Sequence, residues 1–197
     1  MLKRLKQLLM LIGMTAMLSA CSKTVQWEEE VLLNTGETIV VKRNGTYSYK
    51  SEPGGLDYNL TPDWRSTIEF SYKGKNYSHT DEISIVLLAI DSEGKPNLIA
   101  PVGMDWGWKH NYYCVTPYYV QLKPDETGKR WKWPDQIDPW LYNLPANLLA
   151  VSVPLEFDGG KLGQRERKQI DTSQQRSKYL MFIDPKHSTP NTCPRKK

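Results

Sequence analysis

The sequence of 197 residues lacks the short motifs that define most large enzyme families. It contains no Gly-x-Ser-x-Gly elbow, no His-Glu-x-x-His, no phosphate-binding glycine-rich loop and no Cys-x-x-Cys. Histidine and cysteine are scarce, with three residues of each type. We therefore predict no catalytic residue, no metal and no cofactor from motifs, and we expect a protein that is not an enzyme.

Extremes of composition are also absent. Hydrophobic residues make up 39% and charged residues 24%, which argues against full disorder, collagen and a coiled coil. The formal net charge of +4 is small for a nucleic-acid binder, which usually carries a clustered basic face, so no nucleic-acid partner is expected. The length fits one domain or at most two small ones.

Long apolar runs are scarce, and the clearest one stands near the start of the chain. Lys3, Arg4 and Lys6 precede the uncharged run Leu8–Leu18. This run is too short for a membrane-spanning helix, which needs about 20 residues. A charged start, a short apolar run and then small residues are typical of a secretory signal peptide. We therefore expect residues 1–20 to be removed.

The end of this segment, Leu18-Ser19-Ala20-Cys21, resembles the lipobox of bacterial lipoprotein precursors. The resemblance covers residues 1–21, and no family is recognised for residues 22–197. It implies that the Cys21 thiol receives a diacylglyceryl group, that cleavage precedes Cys21, and that the new amino terminus is acylated, for example with palmitate. Several acyl chains would make release from the bilayer negligible. The alternatives are an ordinary signal peptide cut near Ala20 or an uncleaved anchor.

The residue after the lipidated cysteine indicates in which membrane a lipoprotein resides. In lipoproteins of Gram-negative bacteria, Asp at this position tends to mean retention at the inner membrane, whereas this chain has Ser22. The resemblance therefore implies the periplasmic face of the outer membrane. Removal of the signal peptide takes three of the 26 basic residues and leaves 23 against 22 acidic ones, a net charge of about +1. This near-neutral balance weakens the case for an anionic partner.

Three segments of the mature chain are expected. Residues 21–26 form the lipidated amino terminus and a short tether, residues 27–184 form a β-rich globular domain, and residues 185–197 form a proline-rich basic tail. The five tether residues reach at most about 18 Å when extended, so the domain should lie close to the bilayer.

Two cysteines remain if Cys21 carries lipid. In an oxidising periplasm we expect Cys114 and Cys193 to form an intramolecular disulfide. The bridge would close a loop of about 79 residues and contribute up to roughly 4.5 kcal/mol on the chain-entropy model. The alternative is two unpaired thiols.

Alternation of apolar and polar residues predicts a mostly β, antiparallel domain with one or two short helices. Asn44-Gly45 between two alternating runs predicts a hairpin, and the apolar run Ile83–Ile90 predicts a central buried strand. Turns are predicted at Lys73–Asn76 and Asp91–Gly94. The predicted strands are Thr38–Lys42, Thr46–Lys50, Thr67–Tyr72, Ile83–Ile90, Asn97–Val102, Tyr112–Leu122, Leu148–Phe157 and Tyr179–Ile183.

Helix is predicted in two places. Ile137–Leu149 is the better candidate, with Asp138 as N-cap and Pro139 at the first helical position, although Pro145 would end it early. Residues 159–178 form either a mobile excursion or a short helix around Gln164–Ile170.

The most unusual feature is a cluster of tryptophans interleaved with basic residues. Five of the seven tryptophans fall within 35 residues, namely Trp106, Trp108, Trp131, Trp133 and Trp140. In an extended chain Trp106 and Trp108 would share one face, as would Trp131 and Trp133, so these four are candidate ligand-binding residues. They would stack on cell-wall glycan, lie in a membrane interface, or form a protein-binding hot spot. The alternative is that they fill the core of a domain poor in phenylalanine.

The histidines do not predict a metal site. His110 and Cys114 are four residues apart, but in a strand this spacing separates them by about 13 Å. The expected function is a membrane-anchored envelope lipoprotein with a non-catalytic binding or structural role. Its partners would be the bilayer through acylated Cys21, together with an envelope protein or cell-wall glycan. A glycan-binding module that uses the Trp106–Trp140 region is the alternative, and a hydrolase of unrecognised type, with a site assembled from distant residues, is the third.

Overall fold

The structure is a computed structural model, and it describes residues 22–51, 58–112, 115–150, 159–173 and 178–188. The predicted signal peptide, the lipidation residue Cys21 and the predicted disulfide pair Cys114 and Cys193 lie outside the described residues. Their assignments stay predictions. Every helix in the described ranges is too short or too polar to cross a bilayer.

One sheet is built mainly from the first part of the chain. Within the described residues its strand order is β4-β3-β2-β1-β9, and only the short β1–β9 pair is parallel. Alternate residues of β1 are buried, as expected for a strand with one face on the core. The strands are β1 (Ser22–Leu32), β2 (Thr38–Ser51), β3 (Tyr58–Tyr72), β4 (Lys75–Asp81) and β9 (Gly160–Leu162).

A second, antiparallel sheet follows in the chain. In the described ranges its order is β5-β6-β7-β8. Its strands are β5 (Leu87–Ile90), β6 (Pro96–Pro101), β7 (Tyr119–Pro124) and β8 (Trp131–Lys132). The helical segments are α1 (Met104–Lys109), a 3-10 turn (Pro139–Leu141), α2 (Gln164–Ser173) and α3 (Lys178–Met181).

The two sheets pack face to face, and the second sheet is covered on its other face as well. The core between the sheets includes Val41, Ile68, Phe70, Leu88, Leu98 and Val120. The layer on the far side of the second sheet includes Leu87, Ile99, Tyr119, Ile137, Leu141 and Ile183. Burial on both faces explains why the strands of this sheet read as continuous apolar runs rather than as alternating ones.

The loop between β7 and β8 closes one side of this sandwich. The Ser78 amide of edge strand β4 donates to the Gly128 carbonyl at 3.1 Å, and the Trp131 indole N–H donates to the Ser78 carbonyl at 2.7 Å. Gly128 has φ of 73°, and a Cβ there would lie 2.7 Å from the Asn76 carbonyl oxygen. Only glycine allows the loop to approach β4 this closely.

The predicted fold class is confirmed, since the described chain is mostly β with short helices. The turn at Lys73-Gly74 is also confirmed, with positive φ at both residues, as a two-residue hairpin requires. The strand β1 begins at Ser22, so residues 22–26 belong to the sheet rather than to a tether. At the other end of the domain, the Tyr118 amide donates to the His187 carbonyl at 2.8 Å, so the fold continues past residue 184.

The hairpin predicted at Asn44-Gly45 is wrong. Strand β2 runs through both residues, and they are marked only by a register shift between Gly45 and Tyr47. The reason is that β2 pairs with β1 on one side and β3 on the other, and two hydrogen-bonded ladders outweigh a local turn preference. The chain reverses earlier instead, in the loop between Leu32 and Thr38.

Several other boundaries differ from the prediction. The central strand predicted at Ile83–Ile90 is buried, but its strand, β5, lies at the edge of its sheet. The strand predicted at Tyr112–Leu122 begins only at Tyr119, after Pro117. Residues 148–150 of the predicted Leu148–Phe157 strand are not extended into a sheet, and residues 151–158 lie outside the described ranges.

Of the two segments where helix was considered, one is helical and the other is not, and one predicted strand is helical instead. The helix around Gln164–Ile170 is present as α2. The helix predicted at Ile137–Leu149 is instead one 3-10 turn, because the backbone is extended at Tyr142 and has a positive φ at Asn143. The Asp138 carboxylate accepts from Gln121 and does not cap the turn. The strand predicted at Tyr179–Ile183 is instead mostly helix α3.

Candidate functional site

Two of the four candidate tryptophans belong to the core. Trp106 is 4% exposed and Trp131 is 9% exposed. The Trp106 indole N–H donates to Asp81 Oδ1 at 3.0 Å, and the Trp131 indole bonds to β4 as described above. A buried indole with a satisfied N–H is a packing residue. The assignment of these two as ligand contacts is therefore replaced by the core interpretation.

Trp133 differs from Trp131 because the chain leaves strand β8 between them. Trp133 is 39% exposed, and its ring meets His110 edge-on at 5.3 Å and Trp106 at 5.7 Å. His110 in turn stacks on Trp106 at 4.3 Å. The exposed indole is therefore backed by two aromatic rings. The pairing of faces predicted for Trp131 and Trp133 does not occur, since one is buried and the other is exposed.

Trp106 and Trp108 also fail to share a strand face, because both lie in helix α1. The side chain of Trp108 lies outside the described part of the structure. Trp140 is 39% exposed, like Trp133, but it follows Pro139 in the 3-10 turn and bonds to Asp138 at 3.3 Å.

Trp133 lies at the wall of a cleft of about 730 Å³. This volume is within the usual range for small-molecule sites, about 300–1,000 Å³. We call it the lysine cleft, because four lysines line it, three from strands β4, β7 and β8 and one from the turn before β6. The lining residues are Lys75, Tyr77, Lys95, Lys123, Pro124, Asp125, Glu126, Lys132, Trp133 and Pro134.

The four ammonium groups are not equivalent. Lys123 lies 2.8 Å from Asp138 Oδ2, and Lys95 lies 2.7 Å from Glu93. Lys75 lies over the Tyr77 ring at 5.4 Å from its centre. Among the described residues, neither Lys75 nor Lys132 has a carboxylate oxygen within 4 Å. These two cations are therefore the ones available to an incoming anion.

Two carboxylates near the cleft lysines are fixed by hydrogen bonds. Asp125 lines the cleft, and Asp138 lies outside the lining but pairs with Lys123. Asp125 Oδ1 accepts bonds from the Thr127 hydroxyl and amide and from the Arg130 amide, and these bonds lower the pKa of Asp125. For Asp138, partial burial acts to raise the pKa, but bonds from Lys123, Gln121 and Trp140 outweigh it, and the pKa is lowered. Both groups are therefore ionised at neutral pH.

His79 packs against the Trp131 ring, which it meets edge-on at 5.7 Å. His79 Nε2 is buried, makes no hydrogen bond in the described structure and lies 3.7 Å from Asp81 Oδ2, beyond hydrogen-bond range. Burial lowers the pKa of His79, and Asp81 opposes that shift. The described residues contain no group of three or more His, Cys, Asp or Glu side chains placed to share a metal ion.

Comparison with protein-family models, with curated proteins and with solved structures finds no match for this chain.

Two smaller depressions lie on the outer face of the first sheet, with volumes of about 370 and 640 Å³. Both are lined by Lys42 and Glu69, which face each other across the β2–β3 ladder. Opposite charges paired in this way stabilise a solvated sheet face. Neither depression has an exposed tryptophan in its lining, unlike the lysine cleft.

The lysine cleft was only partly visible in the sequence. Lys132 is one of the basic residues interleaved with the tryptophans, between Trp131 and Trp133, but no sequence pattern marks Lys75 or Lys95 as its partner. The turn residues Asp125 and Gly128 would have placed Lys123 opposite Lys132 in a hairpin. The approach of Lys75 depends on a contact between the two sheets, and no local pattern predicts it.

Proposed function

We propose that this chain is a lipid-anchored envelope protein that acts by binding rather than by catalysis. The observation that carries the proposal is the order of residues 1–21, with a charged start, a short apolar run and a lipobox ending in Cys21. Strand β1 begins at Ser22, directly after the lipidation residue. An anchor with so short a connection would hold the domain against the bilayer.

The anchor is tested by mass spectrometry of the full chain expressed in a Gram-negative host. We expect the mature protein to begin at Cys21 and to carry the mass of a diacylglyceryl group and an amide-linked acyl chain. Cys21→Ala should abolish processing and lipid attachment, whereas Cys193→Ala, a cysteine outside the lipobox, should leave both unchanged. A mature chain without lipid would contradict the proposal.

The location is tested in the same host by separating the two membranes. With Ser22 in place, we expect the protein in the outer-membrane fraction. Ser22→Asp should move it to the inner-membrane fraction, since Asp after the lipidated cysteine is associated with retention there. An unchanged distribution would contradict the outer-membrane assignment.

A second candidate function is the binding of cell-wall glycan. The observation that favours it is the exposed Trp133 ring at the wall of the lysine cleft. A flat aromatic face beside polar groups is suited to the apolar face of a sugar ring.

Glycan binding is tested by co-sedimentation of the full lipidated chain, in neutral detergent, with purified cell-wall sacculi. We expect saturable pelleting and a shift in tryptophan emission, both lost in Trp133→Ala. Trp140→Ala is the matched control, because Trp140 has the same exposed fraction and lies outside the cleft. No pelleting of the native chain would exclude the wall as ligand and would favour an envelope protein as partner.

A further inference from the structure

The β7–β8 hairpin places two like charges directly opposite each other. Lys123 pairs with Lys132 in the ladder. Such pairs have Cβ atoms roughly 5 Å apart, and like charges in this position are unfavourable. The Asp138 carboxylate pairs with Lys123 and offsets its charge. No carboxylate of the described residues lies within 4 Å of the Lys132 ammonium. An unfavourable local arrangement of this kind is expected where a surface is built for a ligand.

We infer that the lysine cleft binds an acidic sugar, with Lys132 and Lys75 contacting a carboxylate or phosphate and Trp133 stacking on the sugar ring. The inference depends on the glycan-binding function proposed above and names the ligand class. Both lysines and Trp133 line the same cavity. A charged hydrogen bond from an ammonium supplies attraction, and the indole supplies apolar contact area.

The stacking surface is supported by neighbouring rings and flanked by prolines. Trp133 is supported by His110 and Trp106, and the Trp106 indole is fixed by its bond to Asp81. Pro124 and Pro134, whose backbone angles are restricted, line the same cavity. A rigid site loses little conformational entropy on binding, so more of the contact energy appears as affinity.

The shape of the surface favours a sugar over a bilayer. A membrane-interface patch needs several aromatic side chains that project together, but Trp131 is buried and Trp133 alone of that pair is exposed. The cationic groups also line a concave cavity rather than a flat face. A small ligand therefore fits better than lipid headgroups.

The acidic lining residues determine how the ligand must lie. Asp125 is bonded to its own hairpin, but Glu126 is exposed at the cleft. The anionic group of the ligand must therefore point towards Lys132 and away from Glu126. It follows that Lys132→Gln weakens binding of an acidic sugar, while Glu126→Gln strengthens it.

The test is a fluorescence titration of the full lipidated chain in neutral detergent with three probes. They are a disaccharide of N-acetylglucosamine and N-acetylmuramic acid, which carries a carboxylate, N-acetylglucosamine phosphate, and N,N′-diacetylchitobiose (chitobiose below), which is neutral. We expect at least one acidic probe to bind about tenfold more tightly than chitobiose. The stronger of the two acidic probes distinguishes a wall carboxylate from a phosphosugar.

Lys132→Gln should remove the preference for the acidic probe, and Lys186→Gln, an exposed lysine outside the cleft, should keep it. Thermal unfolding of each variant checks that the fold is retained.

Equal binding of chitobiose and both acidic probes would overturn the acidic-sugar inference and leave glycan binding standing. No binding of any probe would overturn both. Binding to vesicles of anionic phospholipid that exceeds sugar binding and is lost in Lys132→Gln would replace the sugar with a bilayer.

Discussion

Among the described strands, β5 forms one edge of the second sheet, and two asparagine side chains bond there as a neighbouring strand would. Asn34 accepts from the Ile90 amide at 2.7 Å and donates to the Ile90 carbonyl at 2.8 Å. Asn147 does the same for Leu88, at 2.9 and 2.8 Å, and also donates to the Leu32 carbonyl at 3.0 Å. An amide side chain carries the same donor and acceptor as a peptide group, so it satisfies an edge without adding a strand.

At the residue scale, the first prediction concerns Asn147. Asn147→Ala leaves the amide and carbonyl of buried Leu88 without partners, and we expect a loss of about 3 kcal/mol in the free energy of unfolding. Urea denaturation measures it. Asn76→Ala is the control, because Asn76 is exposed and bonds to the Ser71 hydroxyl at the surface. Equal effects of the two substitutions would show that Asn147 does not stabilise the edge.

The second residue-scale prediction concerns pH. Burial lowers the pKa of His79 below its ordinary 6.5, only partly opposed by Asp81, and burial lowers the pKa of His187 in the same direction. Below the ordinary value the unfolded chain then binds more protons than the folded chain, so stability falls as pH falls. We expect the free energy of unfolding to be lower at about pH 5 than at about pH 7, and His79→Gln to reduce the difference. Equal stability at both values would contradict this assignment.

At the element scale, a buried ion pair links strands β1 and β2 to the segment that covers them. Arg43 Nη1 lies 3.3 Å from Glu29 Oε1 and donates to the Leu149 carbonyl at 2.9 Å, and Glu29 accepts from the Leu149 amide and the Trp27 indole. Burial lowers the pKa of Arg43, and the charge of Glu29 opposes it. The pair attaches a segment without regular structure to the inner face of the first sheet.

Removing one partner of this ion pair should lower the free energy of unfolding more than replacing both partners does. Arg43→Met leaves a buried carboxylate without its counter-ion, and we expect a loss of about 3–5 kcal/mol in unfolding free energy. Adding Glu29→Gln removes the charge and keeps an acceptor for the amide of Leu149, so the double variant should recover at least about half of that loss. Guanidinium denaturation of both variants measures the difference. A double variant less stable than Arg43→Met would contradict the explanation.

At the scale of the whole molecule, the core between the sheets and the layer on the far side of the second sheet both depend on that second sheet. The second sheet contributes Leu98 to the core between the sheets and Ile99 to the layer on its far side. Adjacent residues of one strand thus belong to different cores, because side chains alternate across a sheet. Neither core keeps its shape if that strand is lost.

We therefore expect the described domain to unfold as one cooperative unit. Tryptophan emission reports on Trp106 and Trp131 in the core, and far-ultraviolet circular dichroism reports on the sheets. The two signals should follow the same transition with denaturant. A shift in emission well before the loss of ellipticity would show that the aromatic core separates from the sheets.

The local sequence determined the β class and the turn at Lys73-Gly74, because alternation and turn residues act over a few neighbouring residues. It left the helix around Gln164 as one of two alternatives. It also carries the predicted membrane address in residues 1–21. Only the tertiary structure decided that Asn44-Gly45 continues a strand, since two flanking ladders form from distant residues.

The tertiary structure also decided which tryptophans are buried and which are exposed. Trp131 and Trp133 are two residues apart and chemically alike, yet one is bonded to Ser78 and buried, and the other lies exposed at the lysine cleft. The neighbours that decide this come from more than 50 residues away in the case of Ser78. Burial depends on contacts between residues far apart in the chain, so no local pattern distinguishes a core indole from a binding one.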